Sequence, residues 1–208
     1  MVKLGVAFIP DAETINTIIE FQQQISLFYP LKPVLGKDTN LPHITLLQGR
    51  FQEPINWLKL LSELRDYCQN QSFSLQVQLA ELKYQSPDWL FLNFSRNLSL
   101  TATHKFIFER LKSNMFLTEI ERQKDTTGYT QIEKINYFQY GYRYIEAAFC
   151  PHITLGKICY QSLEKNKLKI NKIFRLLLLD LIATFSYVTV YELGEYGSHA
   201  RSLYELHL

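Results

Sequence analysis

The sequence predicts an α+β fold made of two pseudo-symmetric lobes of antiparallel sheet, with helices outside and a central cleft. Three observations lead there. A pentapeptide occurs twice, as Pro42-His43-Ile44-Thr45-Leu46 and Pro151-His152-Ile153-Thr154-Leu155, 109 residues apart. Strand-like and helix-like runs follow one another in the same order around each copy. The chain has 208 residues, of which 47% are apolar, enough for one bilobal domain with repeat halves at about 1–86 and 87–208.

Taken in order, Lys3 to Ile9 is a short apolar run ending at Pro10, as a buried strand requires. Asp11 is placed to cap a helix carrying Ile15, Ile18, Ile19, Ile25 and Phe28. A loop with Pro30, Pro33, Gly36 and Pro42 leads to a strand over His43 to Gln48. Pro54 opens a second helix with Ile55, Leu58, Leu61, Leu64 and Cys68 on one face, and Ser72 to Tyr84 alternates as a strand. The pattern then restarts, with a strand at Trp89 to Ser95 and a helix from Leu98 to Phe116. After it come a strand at His152 to Ile158, a helix from Gln161 to Leu181, a strand at Thr184 to Leu193 and a short one at Leu203 to Leu208.

The halves differ in length. Phe8 lies 35 residues before His43 and Phe94 lies 58 before His152, which predicts an insertion of 23 residues within Thr118 to Ala147. Further along, Phe73-Ser74 matches Phe185-Ser186 at a spacing of 112.

Lys plus Arg (22) nearly balance Asp plus Glu (20), too even for a grip on a long phosphate backbone; a nucleotide or short RNA end remains compatible. The greasiest stretch, Ile173 to Val190, holds Arg175 and Asp180 and reads as core, so no membrane partner is expected. The three cysteines Cys68, Cys150 and Cys159 cannot all pair within one chain, which suits a reducing, cytoplasmic setting; a monomer is expected.

Residues two apart on a strand share a face, so His43 lies with Thr45 and His152 with Thr154. Two imidazoles facing one cleft can serve as general base and general acid. Two hydroxyls can donate to phosphoryl oxygens as charge builds there. No metal or other cofactor is called for, and neither motif has zinc-ligand spacing.

Paired His-x-Thr motifs in the context Pro-His-Ile-Thr-Leu resemble those of the two-histidine (2H) phosphoesterase superfamily, in particular its bacterial 2′-5′ RNA ligase and cyclic phosphodiesterase branch. The resemblance implies that His43 and His152 are the catalytic pair and that Thr45 and Thr154 bind phosphate. It implies metal-independent hydrolysis of a 2′,3′-cyclic phosphate or a 2′-5′ phosphodiester in RNA ends or nucleotides. The family's usual Phe-Leu-Gly after the first motif reads Leu47-Gln48-Gly49 here, and its frequent Ala-Arg after the second reads Gly156-Lys157. The alternative is a non-catalytic module on the same fold that binds RNA ends or nucleotides.

Other residues are weaker candidates. Tyr140, Tyr142 and Tyr144 form either a stacking surface for a base or the covered face of a two-stranded ribbon. Lys157 could meet a phosphate, though alternation points it away from the His152 face. His199, in a polar turn, could reach the cleft mouth, but the turn favours a surface histidine. Cys150, aligned with Leu41, reads as a small apolar filler.

Overall fold

Both His-x-Thr segments lie where a strand meets its bulge, and the surrounding elements repeat in order. A computed structural model describes residues 2–70, 76–85, 88–158 and 160–207, with residues 2 and 160–165 described by their backbone alone. Phe73, Ser74 and Cys159 lie outside the described residues. The first half runs β1 (Val2–Pro10), α1 (Ala12–Ser26), β2 (Ile44–Phe51), α2 (Trp57–Gln69) and β3 (Gln76–Gln85). The second runs β4 (Trp89–Phe94), α3 (Leu98–Leu111), β5 (Met115–Phe116), α4 (Glu119–Arg122), α5 (Gln131–Tyr140), β6 (His152–Lys157), α6 (Tyr160–Leu177), β7 (Ile182–Leu193) and β8 (His199–His207).

Local chemistry starts the helices. Asp11, Asn56 and Asn97 each accept a hydrogen bond from an N–H three residues on, which satisfies an otherwise orphan donor. On α1, Ile18, Ile19, Phe21 and Ile25 form the buried stripe. On α2 the stripe is Trp57, Leu60, Leu61, Leu64 and Cys68, while Leu58 faces solvent. The α3 run stops at Leu111, because Met115 and Phe116 leave the helix to pair with Phe51 and Arg50 on β2.

The strands are antiparallel, and the two halves exchange β3 and β7. β1 lies between β2 and β7, and β4 lies between β6 and β3. The helices follow the exchange, α1 packing on α6 and α2 on α3. Register reveals how closely the halves correspond. On β1, Val6 faces Leu47 and Ala7 faces Thr45, skipping Leu46. On β4, Leu90 faces Gly156 and Phe91 faces Thr154, skipping Leu155. A second bulge also repeats: Ile9 and Pro10 face Tyr187 and Phe185, as Asn93 and Phe94 face Glu81 and Leu79.

The halves meet where equivalent residues face each other, at Ile44 and Ile153 and at Val77 and Ala183. A pseudo-two-fold axis passes through both pairs. This register corrects two expectations. Phe8 corresponds to Leu92 rather than Phe94; Leu92 stands 60 residues before His152, so the insertion is 25 residues long, not 23. Leu79 corresponds to Phe185, a spacing of 106 rather than 112. The earlier matches rested on shared phenylalanines, whereas the hydrogen-bond ladder sets the register.

Each bulge turns a carbonyl out of the ladder, and a helix of the opposite half captures it. Gln22 on α1 donates from Nε2 to Leu155 O at 2.6 Å. His104 on α3 donates from Nδ1 to Leu46 O at 2.7 Å, while its Nε2 accepts from the Glu146 N–H at 2.9 Å. Both side chains are buried, and these bonds account for two polar groups inside the core. His104 is thereby a structural histidine.

The insertion is helical, which overturns the ribbon alternative for its tyrosines. Thr118 and Thr130 each open a capping box, closed by Glu121 and Glu133 three residues later. Gly141 ends α5 with φ of 79°, a conformation glycine adopts without steric cost. Among the described residues no helix is long and apolar enough to cross a membrane; the Ile173 to Val190 stretch is divided between α6 and β7.

Candidate active site

The two histidines are held in the same way. His43 Nδ1 lies 2.7 Å from Leu41 O, and His152 Nδ1 lies 2.7 Å from Cys150 O. A carbonyl only accepts, so each Nδ1 carries the proton and each Nε2 presents a lone pair. The repeat that aligns Leu41 with Cys150 therefore fixes both tautomers. It also explains Cys150, which contributes a backbone oxygen; burial pushes its thiol above the ordinary range, the reverse of an activated nucleophile.

His43, Thr45, His152 and Thr154 line one cavity of about 520 Å³. Its wall also includes Asn40, Gln48, Tyr142, Tyr144, Tyr196 and Ser198. Burial pushes both imidazoles down to about 4, with the backbone hydrogen bonds opposing that shift. The charge of either His199 or His152 lowers His43 further. At neutral pH the free site thus holds two neutral imidazoles.

The surroundings of the two rings differ. His43 Nε2 is 3.2 Å from the Tyr191 hydroxyl, which lies 3.5 Å from Thr45 Oγ1. Because His43 Nε2 is an acceptor, Tyr191 is the donor. Tyr191 is fully buried, and burial holds its phenol protonated far above the ordinary value. On the other side, His152 packs against Phe91, with ring centroids 4.5 Å apart, and Tyr144, at 5.1 Å. No hydroxyl reaches His152 Nε2 among the described residues.

The weaker candidates separate. Tyr142 and Tyr144 line the cavity, whereas Tyr140 ends α5 and packs edge-on against Phe108 at 5.0 Å. Tyr140 is a core contact. Lys157 is absent from the cavity wall and pairs through its backbone with Lys32. His199 is not a surface histidine: it is buried and stacks on Tyr191 with centroids 4.9 Å apart. Its Nε2 is 3.2 Å from Ser202 Oγ, its Nδ1 has no hydrogen-bond partner among the described residues, and its ring backs the His43 and Tyr191 pair. His207 packs on Tyr187, away from the cleft.

Sequence reasoning missed Tyr191, Gln48, Tyr196 and Ser198. Tyr191 faces Gly5 across the β1–β7 ladder, and its ring occupies the space a side chain at position 5 would need. A glycine inside a strand is the one local signal that something approaches closely there. Compared with models of known protein families the chain matches none, and a comparison with curated proteins finds no significant similarity.

Proposed function

We propose that this chain is a metal-independent phosphodiesterase of the two-histidine phosphoesterase kind, acting on a 2′,3′-cyclic phosphate or a 2′-5′ phosphodiester of RNA ends or nucleotides. The observation that carries the reading is the coincidence of two His-x-Thr segments at equivalent register, next to equivalent bulges, on the walls of one cavity. A structural duplication has no need to preserve histidine, hydroxyl and tautomer together at both places.

In this mechanism one neutral imidazole takes a proton from the attacking water through Nε2. The water oxygen bonds to phosphorus, and the bond to one ribose oxygen breaks. The other imidazole, protonated at Nε2, gives that proton to the departing oxygen. Thr45 and Thr154 donate to the non-bridging oxygens, where negative charge grows in the transition state. A bound phosphate anion favours imidazolium, so substrate itself raises the acid from its depressed starting value.

Incubating the protein with a panel of 2′,3′-cyclic nucleotides and 2′-5′ dinucleotides tests the reading. Release of a nucleotide monophosphate from at least one class is the expected result. Tight binding without turnover across the panel would replace it with a module that recognises RNA ends.

A further inference from the structure

Beside the cavity that holds the two histidines the cleft opens into a second chamber of about 700 Å³ that shares His152, Thr154, Tyr142 and Tyr144 with it. Tyr196 also lines both, while Trp89, Lys124 and Arg143 belong to the chamber alone, whose wall holds no carboxylate among the described residues. Lys124 and Arg143 come from the insertion that breaks the symmetry of the two halves. We propose that this chamber is a second subsite, which takes the neighbouring phosphodiester and base of an oligonucleotide whose terminal phosphate lies between the histidines. The proposal rests on the phosphodiesterase reading and adds to it a preference for chains of at least two nucleotides over mononucleotides.

Four observations support it. First, the cations are placed and held. The Arg143 guanidinium lies 4.3 Å over the Tyr144 ring and 4.4 Å over Tyr129, and it donates to the Tyr144 hydroxyl. Its nearest carboxylate, Glu133, is 3.9 Å from Nε, a long ion pair that leaves N–H donors for a ligand.

Second, Lys124 lies over Tyr137 at 5.0 Å and Tyr129 at 5.7 Å, with no carboxylate in salt-bridge reach among the described residues. Two cations on an aromatic floor, without counter-charge in the chamber, suit an anion.

Third, the spacing is short. The Tyr144 ring contacts both His152, 5.1 Å between centroids, and the Arg143 guanidinium, 4.3 Å from its centroid, so a single side chain links the reacting centre to that cation.

Fourth, an aromatic platform stands at the rim. Trp89 and Tyr196 meet edge-on at 5.5 Å, and Tyr196 is half exposed with φ of 60°, a left-handed conformation that non-glycine residues rarely adopt. Bases stack on such faces whatever their sequence.

Calorimetric titration with two product analogues tests the subsite: adenosine 2′-monophosphate, and the adenylyl dinucleotide ending in the same 2′-phosphate. The dinucleotide is expected to bind the wild-type protein roughly tenfold tighter or better. Lys124→Gln, Arg143→Gln and Trp89→Ala should each shrink that ratio severalfold, while Lys59→Gln, on the exposed side of α2, should leave it alone. A dinucleotide that binds no tighter than the mononucleotide, or a ratio indifferent to all three chamber variants, overturns the subsite. Turnover of a cyclic mononucleotide needs only the histidines and threonines, so it judges the phosphodiesterase reading separately. A protein that hydrolyses the mononucleotide and shows no dinucleotide preference would lose this inference and keep its function.

Discussion

The Tyr191 hydroxyl lies 3.2 Å from His43 Nε2 and donates to it, while His152 has no equivalent donor among the described residues. Two halves matched in register, bulge and tautomer thus differ at the atom that would handle the proton. Hydrogen bonding to a bare Nε2 favours the neutral ring, which marks His43 as the imidazole more firmly held in its base form. The contact exists because Tyr191 faces Gly5, where no side chain intervenes.

A methyl group at position 5 would overlap the Tyr191 ring. Gly5→Ala is therefore expected to cost about 1–3 kcal/mol through overpacking. Tyr191→Ala costs several kcal/mol by itself, yet it opens the space the methyl group needs. Urea unfolding of the two single variants and the double should give a total smaller than the sum, by on the order of 1 kcal/mol. Strict additivity would mean that the ring and the glycine are independent.

Stability should fall in mild acid. His43, His104 and His152 are pushed down to about 4, while unfolded histidine titrates near about 6.5. Between those values the unfolded chain binds more protons than the folded one. Stability is then level above pH 6.5 and is lost as pH falls toward 4, by up to about 1.4 kcal/mol per pH unit for each histidine. Unfolding free energies measured from pH 7.5 to 4.5 check this, and His104→Asn should flatten the slope. A protein that gains stability on acidification would contradict the burial of these rings.

The rate profile should move with the same groups. Ordinary histidines give a bell with limbs at about 6 to 7.5. With both imidazoles at about 4 in the free site, the acid limb of kcat/KM is expected well below that range. In kcat, where the phosphate anion is bound, the limbs should shift upward. Tyr191→Phe removes a donor to the neutral ring and should raise the acid limb. Coincident kcat and kcat/KM profiles centred at neutral pH would contradict this electrostatic picture.

Much of this architecture was legible because its signals are local or repeated. The doubled pentapeptide announces two equivalent strands, and alternation places histidine and threonine on one face of each. Asp11 and the apolar spacing behind it announce the first helix. Register was harder, since Phe94 and Phe185 mimic equivalence without occupying equivalent rungs. The insertion misled for another reason: three tyrosines at alternate positions look like a strand, but the capping boxes at Thr118 and Thr130 make most of the segment helical. His199 and Tyr191 were out of reach. The histidine both approach, His43, lies just before β2, some 150 residues upstream, and no local pattern records which ring a strand exchange will bring to it.

In the proposed mechanism His43 and His152 act together in one proton-transfer step. It is tested most directly by turnover of adenosine 2′,3′-cyclic phosphate by wild type, His43→Ala, His152→Ala and the double variant, each with and without a chelator. Each single variant should lose a factor of roughly 10² to 10⁴, the range for removing a general acid or base. The double variant should be hardly worse than the poorer single one, since groups that act as a unit are lost as a unit. The chelator should change nothing. Activity surviving in the double variant, or activity abolished by the chelator and restored by a divalent ion, would contradict the account.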